Sequence, residues 1–246
     1  MGRLQLAQRL GKTGLKNWTS LFLQQGCPVC DRPTSQTFCP DCQRQLSSDL
    51  TAGGRSVQGW YRNESHPLPV SALGIYSGTL KRAILAIKYS DRPDVAIPLG
   101  SALGQQWHHQ PHPTTRYPRL YAVPIPLHAD RLATRGYNQA ELIARAFCQS
   151  SGLPMLAAGL NRTQATQPQH QLSLSARQQN LAQAFRVGPS LNRMLDSSPS
   201  QRQCRPAAVL IDDIYTTGTT ARSAADTLAR AGMPVIGILA VARAVL

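Results

Sequence analysis

The sequence predicts an α/β protein, in which helices flank a parallel sheet and a small cysteine-rich module precedes it. Two strand–loop–helix units indicate the sheet, because apolar runs at residues 120–125 and 207–211 each lead into a polar loop and a helical pattern. Continuous apolar runs are typical of strands covered on both faces, as in a parallel sheet. Two C-x-x-C pairs, close together near the start of the chain, indicate the cysteine module.

Length and charge limit the possible classes of protein. The chain has 246 residues, enough for one sizeable domain and one small one, and carries 26 Lys and Arg against 12 Asp and Glu. The resulting net charge of +14 favours a polyanionic partner such as nucleic acid, a nucleotide phosphate or an anionic membrane surface. A generally basic surface is the alternative. No apolar run approaches the roughly 20 residues that span a bilayer, and no signal-peptide pattern is present, so we expect a cytoplasmic protein.

Composition divides the chain into three parts. Residues 1–50 contain the cysteine pairs, residues 51–70 are rich in Gly, Ser, Asn and Pro and are predicted to be a linker, and residues 71–246 are predicted to form the α/β domain. Residues 1–26 carry basic side chains and an imperfect amphipathic pattern, and they are left without an assigned role. Residues 189–206 are predicted to be a flexible surface insertion.

The cysteine pairs have the spacing of a metal site. Cys27 and Cys30 form the first pair, and Cys39 and Cys42 form the second. Each pair can present two thiolates from one turn, so that four sulfurs surround one tetrahedral zinc ion. Disulfides are the alternative, which a cytoplasmic setting disfavours. Four thiolates leave no open position for water, so the predicted zinc is structural.

The second apolar run ends in a loop with the chemistry of a phosphate site. Asp212 and Asp213 follow the predicted strand at its carboxyl end, and a loop rich in hydroxyl groups comes next, formed by Tyr215, Thr216, Thr217, Gly218, Thr219 and Thr220. A helix that begins after a tight turn points backbone N–H groups and its positive dipole end at an anion. Ionised carboxylates accept hydrogen bonds from hydroxyls. A phosphate beside a pair of hydroxyls describes a ribose 5-phosphate, whereas an ordinary strand–turn–helix with a threonine-rich start is the alternative.

The first apolar run is followed by cations. Arg131 and Arg135 lie around Gly136, shortly before a helix that is predicted to begin near Gln139 with Asn138 as a cap. This arrangement suits an anion, although a solvated turn explains the same residues equally well. Further helices are predicted at residues 80–89 and 96–107, and further strands at residues 72–76, 184–187 and 234–242.

Four motifs together resemble the ComF family, whose members are linked to natural competence. In chain order these motifs are CPVC…FCPDC, VPIPLHADRLATRGYNQAELIARA, QLSLSARQQNLAQAF and VLIDDIYTTGTT. The last resembles the phosphoribosyl pyrophosphate (PRPP) loop of type I phosphoribosyltransferases. The resemblance covers about residues 25–246, nearly the whole chain. It implies a type I phosphoribosyltransferase-like sheet and a protein that handles internalised single-stranded DNA.

The resemblance also implies roles for particular residues. Asp212 and Asp213 would face the ribose hydroxyls of PRPP, and the loop 216–220 would hold its 5-phosphate. The cations at the pyrophosphate, which Mg²⁺ would accompany, would be Lys88, Arg131 and Arg135. Residues 161–180 would form a hood over the site, in which four positions match the family: Arg162, Gln171, Arg177 and Asn180. PRPP, single-stranded DNA and a DNA-translocating ATPase are the implied partners.

One departure from the wider pattern concerns catalysis. Purine-salvage phosphoribosyltransferases carry a carboxylate within the PRPP loop as a general base, and the matching position here is Thr216, which cannot serve as one. The sequence thus leaves turnover open. The alternatives are a zinc-containing nucleic-acid-binding adaptor with a vestigial ribose-phosphate site, and a nucleotide-salvage phosphoribosyltransferase.

Overall fold

A computed structural model of the chain describes residues 26–52, 61–63, 66–109, 117–163, 184–196 and 206–245. Seven strands and seven α-helices are present in these ranges. The strands are β1 (Tyr61–Asn63), β2 (His66–Ile75), β3 (Leu120–Pro124), β4 (Leu160–Arg162), β5 (Phe185–Val187), β6 (Ala207–Tyr215) and β7 (Val235–Arg243). The helices are α1 (Pro40–Ala52), α2 (Gly78–Tyr89), α3 (Ala96–His109), α4 (Ala129–Arg135), α5 (Gln139–Ser151), α6 (Pro189–Asp196) and α7 (Thr219–Arg230).

The sheet confirms the predicted parallel architecture. Its order is β1-β2-β7-β6-β3, in which the last four strands are parallel and β1 pairs with β2 in the antiparallel sense. Residues 207–211 of β6, the continuous apolar run, are fully buried. Both faces of β6 are covered by hydrophobic clusters, which explains why this strand lacks the alternation of a half-exposed strand. β4 and β5 form a separate two-stranded antiparallel sheet.

Two hydrophobic clusters cover the two faces of the sheet. On one face Val209 and Ile211 of β6 pack with apolar side chains of α2, α3 and α5, and the cysteine module joins the same cluster through Phe38 and Leu46. On the other face Leu210 packs with α6, α7 and the β4–β5 sheet. The cysteine module therefore shares the core of the α/β domain.

Close contact between α3 and α5 depends on small residues. A Cβ atom at Gly100 would lie 2.4 Å from the carbonyl oxygen of Ile143, so only glycine permits this approach of the two helices.

Asn138 caps α5 as predicted, since its side chain accepts a hydrogen bond from Ala140 N at 3.1 Å.

Three sequence-based expectations need correction. The linker predicted at residues 51–70 is wrong for its second part, because β2 begins at His66 and Val70 is fully buried. The loop predicted around Arg131 is the short helix α4, which ends at a left-handed Gly136 (φ 80°). The surface insertion predicted at residues 189–206 begins with helix α6, in which Leu191 is fully buried.

Candidate functional site

The site lies at the carboxyl edge of the parallel sheet. β3 and β6 pair as far as Pro124 and Ile211, and Ile125 N donates to Ile211 O at 2.9 Å. Beyond Ile211, β6 continues beside β7 alone, up to the pair Tyr215 and Arg243. Ligands of open α/β sheets bind outside the carboxyl ends of the strands, where neighbouring strands part in this way.

Asp213 is held by a buried ion pair. Because side chains alternate along a strand, Asp213 continues the face of Val209 and Ile211 and meets α2. Its Oδ2 lies 2.7 Å from Lys88 Nζ, and the two side chains are only 7% and 17% exposed. A carboxylate this far from solvent requires a positive partner, and Lys88 supplies it.

Asp212 stands on the opposite face of β6 and has a different environment. Its Oδ1 accepts a hydrogen bond from Asp213 N at 2.8 Å. Burial, and secondly the charge of Asp213, raises the pKa of the Asp212 carboxyl well above its ordinary value. Arg162 of β4 lies within the electrostatic reach of Asp212, but burial is the main influence on that guanidinium and lowers its pKa. The two acids of this strand thus lie in different environments, Asp213 beside Lys88 and Asp212 on the other face of β6.

The threonine loop closes tightly before α7. Gly218 adopts a left-handed conformation (φ 73°) as the N-cap residue, and a Cβ there would lie 2.4 Å from Tyr215 Oη. Glycine is therefore required at the turn, for conformation and for space. Thr216 and Thr217 are exposed, and the Oγ1 atoms of Thr217 and Thr219 lie 2.7 Å apart. Thr219 and Thr220 form the first turn of α7, whose positive dipole end the loop surrounds.

The predicted cations meet at a cleft of about 770 Å³. Three of them line it together: Lys88 from α2, and Arg131 and Arg135 from α4. Since Lys88 also contacts Asp213, the cleft adjoins the end of β6. Arg162 is close enough to Arg131 for the two like charges to interact, which places the start of the predicted hood near the same cleft. Arg177, predicted to bind the ligand, and Gln171 and Asn180 lie outside the described residues.

The cleft also contains residues that the sequence analysis did not single out. Tyr89, Asp91, Asp130, Thr134 and Tyr137 complete its lining. Tyr89 could have been found, because it places a large aromatic side chain directly after Lys88, off the apolar face of the predicted helix 80–89. The others became apparent only when α2 and α4 were brought together.

The four cysteines near the start of the chain form one cluster. Their sulfur atoms all lie within 4.8 Å of one another, and Cys30 Sγ is 3.6 Å from Cys39 Sγ. A zinc ion with four bonds of about 2.3 Å separates its sulfur ligands by about 3.8 Å, so this set fits a tetrahedral metal. The cluster could therefore hold a metal ion, in agreement with the predicted module.

Cys30 and Cys42 differ in how readily their thiols form the thiolate that binds a metal. A hydrogen bond from Arg32 to the exposed Cys30 lowers the pKa of that thiol to about 6. Burial raises the pKa of Cys42 above that of an ordinary thiol. A bound cation would stabilise the thiolate form of all four residues.

The chain resembles proteins of DNA utilisation and competence. It is 28% identical over 223 residues to the DNA utilization protein YhgH of Escherichia coli K12, which covers 88% of this chain and 89% of that protein. It is 34% identical over 122 residues to Competence protein F of Haemophilus influenzae, about half of each chain, and 25% identical over 217 residues to Competence protein ComFC of Bacillus subtilis, 84% of this chain and 72% of that protein. No family model matches.

These similarities agree with the resemblance to the ComF family that the four motifs carry. In the ranges that the structure describes, no helix has the length and apolar character needed to cross a membrane.

The cysteine cluster leads to a prediction about metal content. We expect the purified protein to contain about one zinc ion per chain. Cys39→Ser and Cys42→Ser should lose the metal and lower the melting temperature, because both cysteines belong to the core cluster shared with the α/β domain. Elemental analysis and thermal unfolding measure both effects, and Cys148→Ser, which removes a thiol that is not one of the four clustered cysteines, is the control for metal content. The prediction is contradicted if wild-type protein, purified in a reducing, chelator-free buffer, contains no zinc and the cysteine variants melt at the same temperature as the wild type.

The raised pKa of Asp212 predicts a pH-dependent stability. The unfolded chain releases the Asp212 proton near the ordinary pKa of about 3.9, while the folded protein retains it to higher pH, so this residue lowers the free energy of unfolding as pH rises. Asp212→Asn should therefore raise that free energy at pH 7, with the gain vanishing toward acid pH. Urea denaturation across this pH range measures it.

The exposed Asp226 on α7 provides the control, since Asp226→Asn makes the same chemical change at the surface of the protein. If Asp212→Asn instead lowers the free energy of unfolding by the same amount at all pH values, the Asp212 carboxyl does not destabilise the folded protein.

Proposed function

We propose that the chain binds PRPP, or a closely related ribose 5-phosphate, and acts on single-stranded DNA during its uptake or use. The proposal is supported by the gathering of two carboxylates, a hydroxyl-rich loop and three cations at one edge of a parallel sheet. The DNA part is supported by relatives named for DNA utilisation and competence. A DNA-translocating ATPase as partner stays a prediction.

The sugar-phosphate would be recognised by β6 and the start of α7. Asp213, with Asp212 beside it, would accept hydrogen bonds from the ribose hydroxyls. The loop 216–220 would receive the 5-phosphate through hydroxyls and backbone N–H groups, aided by the dipole of a helix of 12 residues. Lys88 would share its charge between Asp213 and the ligand, since its ammonium has three donors.

Three cations would act on the departing pyrophosphate. Lys88, Arg131 and Arg135 line the cleft next to the carboxylates, where they could stabilise negative charge as it develops. The acids Asp212 and Asp213 are the oxygen ligands on this edge that suit Mg²⁺, which supplies further charge neutralisation when it is bound with PRPP.

A group that accepts the proton of an incoming nucleophile is also present at this edge. The loop offers Thr216 where salvage enzymes have a carboxylate, whereas burial, and secondly the charge of Asp213, raises the pKa of the Asp212 carboxyl, so that it binds a proton more readily than an ordinary carboxylate. We therefore propose that Asp212 accepts the proton of the nucleophile in a phosphoribosyl transfer.

Calorimetric titration with PRPP and Mg²⁺ tests this proposal. We expect saturable binding of one ligand per chain and at least a tenfold loss of affinity, about 1.4 kcal/mol, in Asp213→Asn. Because Asp213 is buried with Lys88, a second variant, Thr217→Ala on the exposed part of the loop, should weaken binding without affecting folding. Asp226→Asn is the matched control, on an exposed position of α7.

The same titration separates the alternatives. Absence of PRPP binding to the folded wild-type protein would contradict the proposal and leave the adaptor hypothesis, in which the ribose-phosphate site is vestigial. Release of pyrophosphate with a common nucleobase would favour nucleotide salvage.

A further inference from the structure

Tyr89 is an aromatic side chain in an unusual setting. It is the last residue of α2, and 76% of it is exposed, more than any other large hydrophobic residue in the described parts of the chain. Single exposed apolar residues are ordinary on protein surfaces. Tyr89, however, lines the 770 Å³ cleft and directly follows Lys88, which contacts Asp213.

Contacts from a neighbouring helix hold one side of the Tyr89 ring. The guanidinium carbon of Arg135 lies 5.8 Å from the ring centroid, a cation–π arrangement. Arg135 is itself positioned, because its Nη1 donates to Oε1 of the buried Gln139 at 2.5 Å. The hydroxyl of Tyr137 donates to Ile87 O at 2.6 Å, which fastens the end of α2 to the segment between α4 and α5.

Positive charge lies beside this ring. Arg131 lines the same cleft, is exposed, and forms no ion pair with a carboxylate among the residues that the structure describes. The lining also contains two acids, Asp91 and Asp130. A positioned aromatic surface next to positive charge is the combination by which proteins bind single-stranded nucleic acid.

We propose that Tyr89 and Arg135 form a stacking platform for a base of single-stranded DNA, with Arg131 at the phosphate beside that base. The cleft has the size of a nucleotide site, since ligand pockets of about 300–1,000 Å³ are typical. This inference rests on the proposed function, because the Lys88–Asp213 contact would put the stacked base next to the sugar-phosphate site. It identifies the nucleic acid as the second ligand of that site.

Fluorescence anisotropy with the full chain and a labelled single-stranded oligothymidine, at fixed salt and without PRPP, tests the platform. Tyr89→Ala should weaken binding by about tenfold, within the range of one lost base–aromatic stack, whereas Tyr89→Phe keeps the ring and should stay within about twofold of wild type. Arg131→Ala should weaken binding and reduce the salt dependence by about one counterion. Ile97→Ala, which truncates another exposed apolar side chain outside the cleft, should leave affinity unchanged.

Several results would overturn the inference. Unchanged oligothymidine affinity in Tyr89→Ala excludes the platform, and equal losses in Tyr89→Ala and Tyr89→Phe show a role for the hydroxyl in place of stacking. If thymidine monophosphate competes for the site only when Tyr89 is present, while the oligothymidine binds equally well without Tyr89, the ligand at this ring is a free nucleotide.

Calorimetry with PRPP and Mg²⁺ on Tyr89→Ala separates this inference from the proposed function. We expect PRPP to bind this variant with at most a small loss of affinity, because the ring touches Arg135 but belongs neither to the carboxylates nor to the threonine loop. A variant that loses PRPP and DNA binding together would contradict a separate platform. Tyr89-dependent DNA binding in a protein that does not bind PRPP would uphold the platform and reject the proposed function.

Discussion

The buried ion pair between Lys88 and Asp213 is the constraint on which the site depends. It joins the last turn of α2 to the end of β6, and so connects the cationic cleft to the carboxyl edge of the sheet. Either group alone would be a buried charge without a partner, which is far more costly than the pair. Tyr89 directly follows Lys88, and the threonine loop follows β6, so both extend from the two elements that the pair joins.

Adjacent acids on one strand acquire different properties from this arrangement. Asp213 faces Lys88, whereas Asp212 faces the side of the sheet that carries α7 and the β4–β5 sheet, and its pKa rises with burial. A ligand that brings hydroxyls and a cation to this edge would relieve the cost of ionising Asp212. Raised pKa values of this kind are common among the acids of binding sites.

Local patterns allowed much of this architecture to be predicted. The strand, turn and helix from Ala207 to Arg230 follow from an apolar run, a glycine and a helical stripe, and the cysteine cluster follows from its spacing. Contacts between distant segments could not be derived, as the pairing of Lys88 with Asp213 shows. Helix α6 and the start of β2 were missed because proline masked them: Pro189 opens a helix, and Pro67 and Pro69 precede the first pairing of β2 with β7 at Val70.

A double-mutant cycle on Lys88 and Asp213 tests the central claim most directly, with Lys88→Met, Asp213→Asn and their combination studied by urea denaturation. We expect each single change to lower the free energy of unfolding by roughly 2–4 kcal/mol, since it leaves a buried group without its partner. The loss of unfolding free energy in the double variant should then be smaller than the sum of the two single losses by at least about 1 kcal/mol. Strictly additive losses would show that the two residues do not hold α2 and β6 together, and would contradict this account of the site.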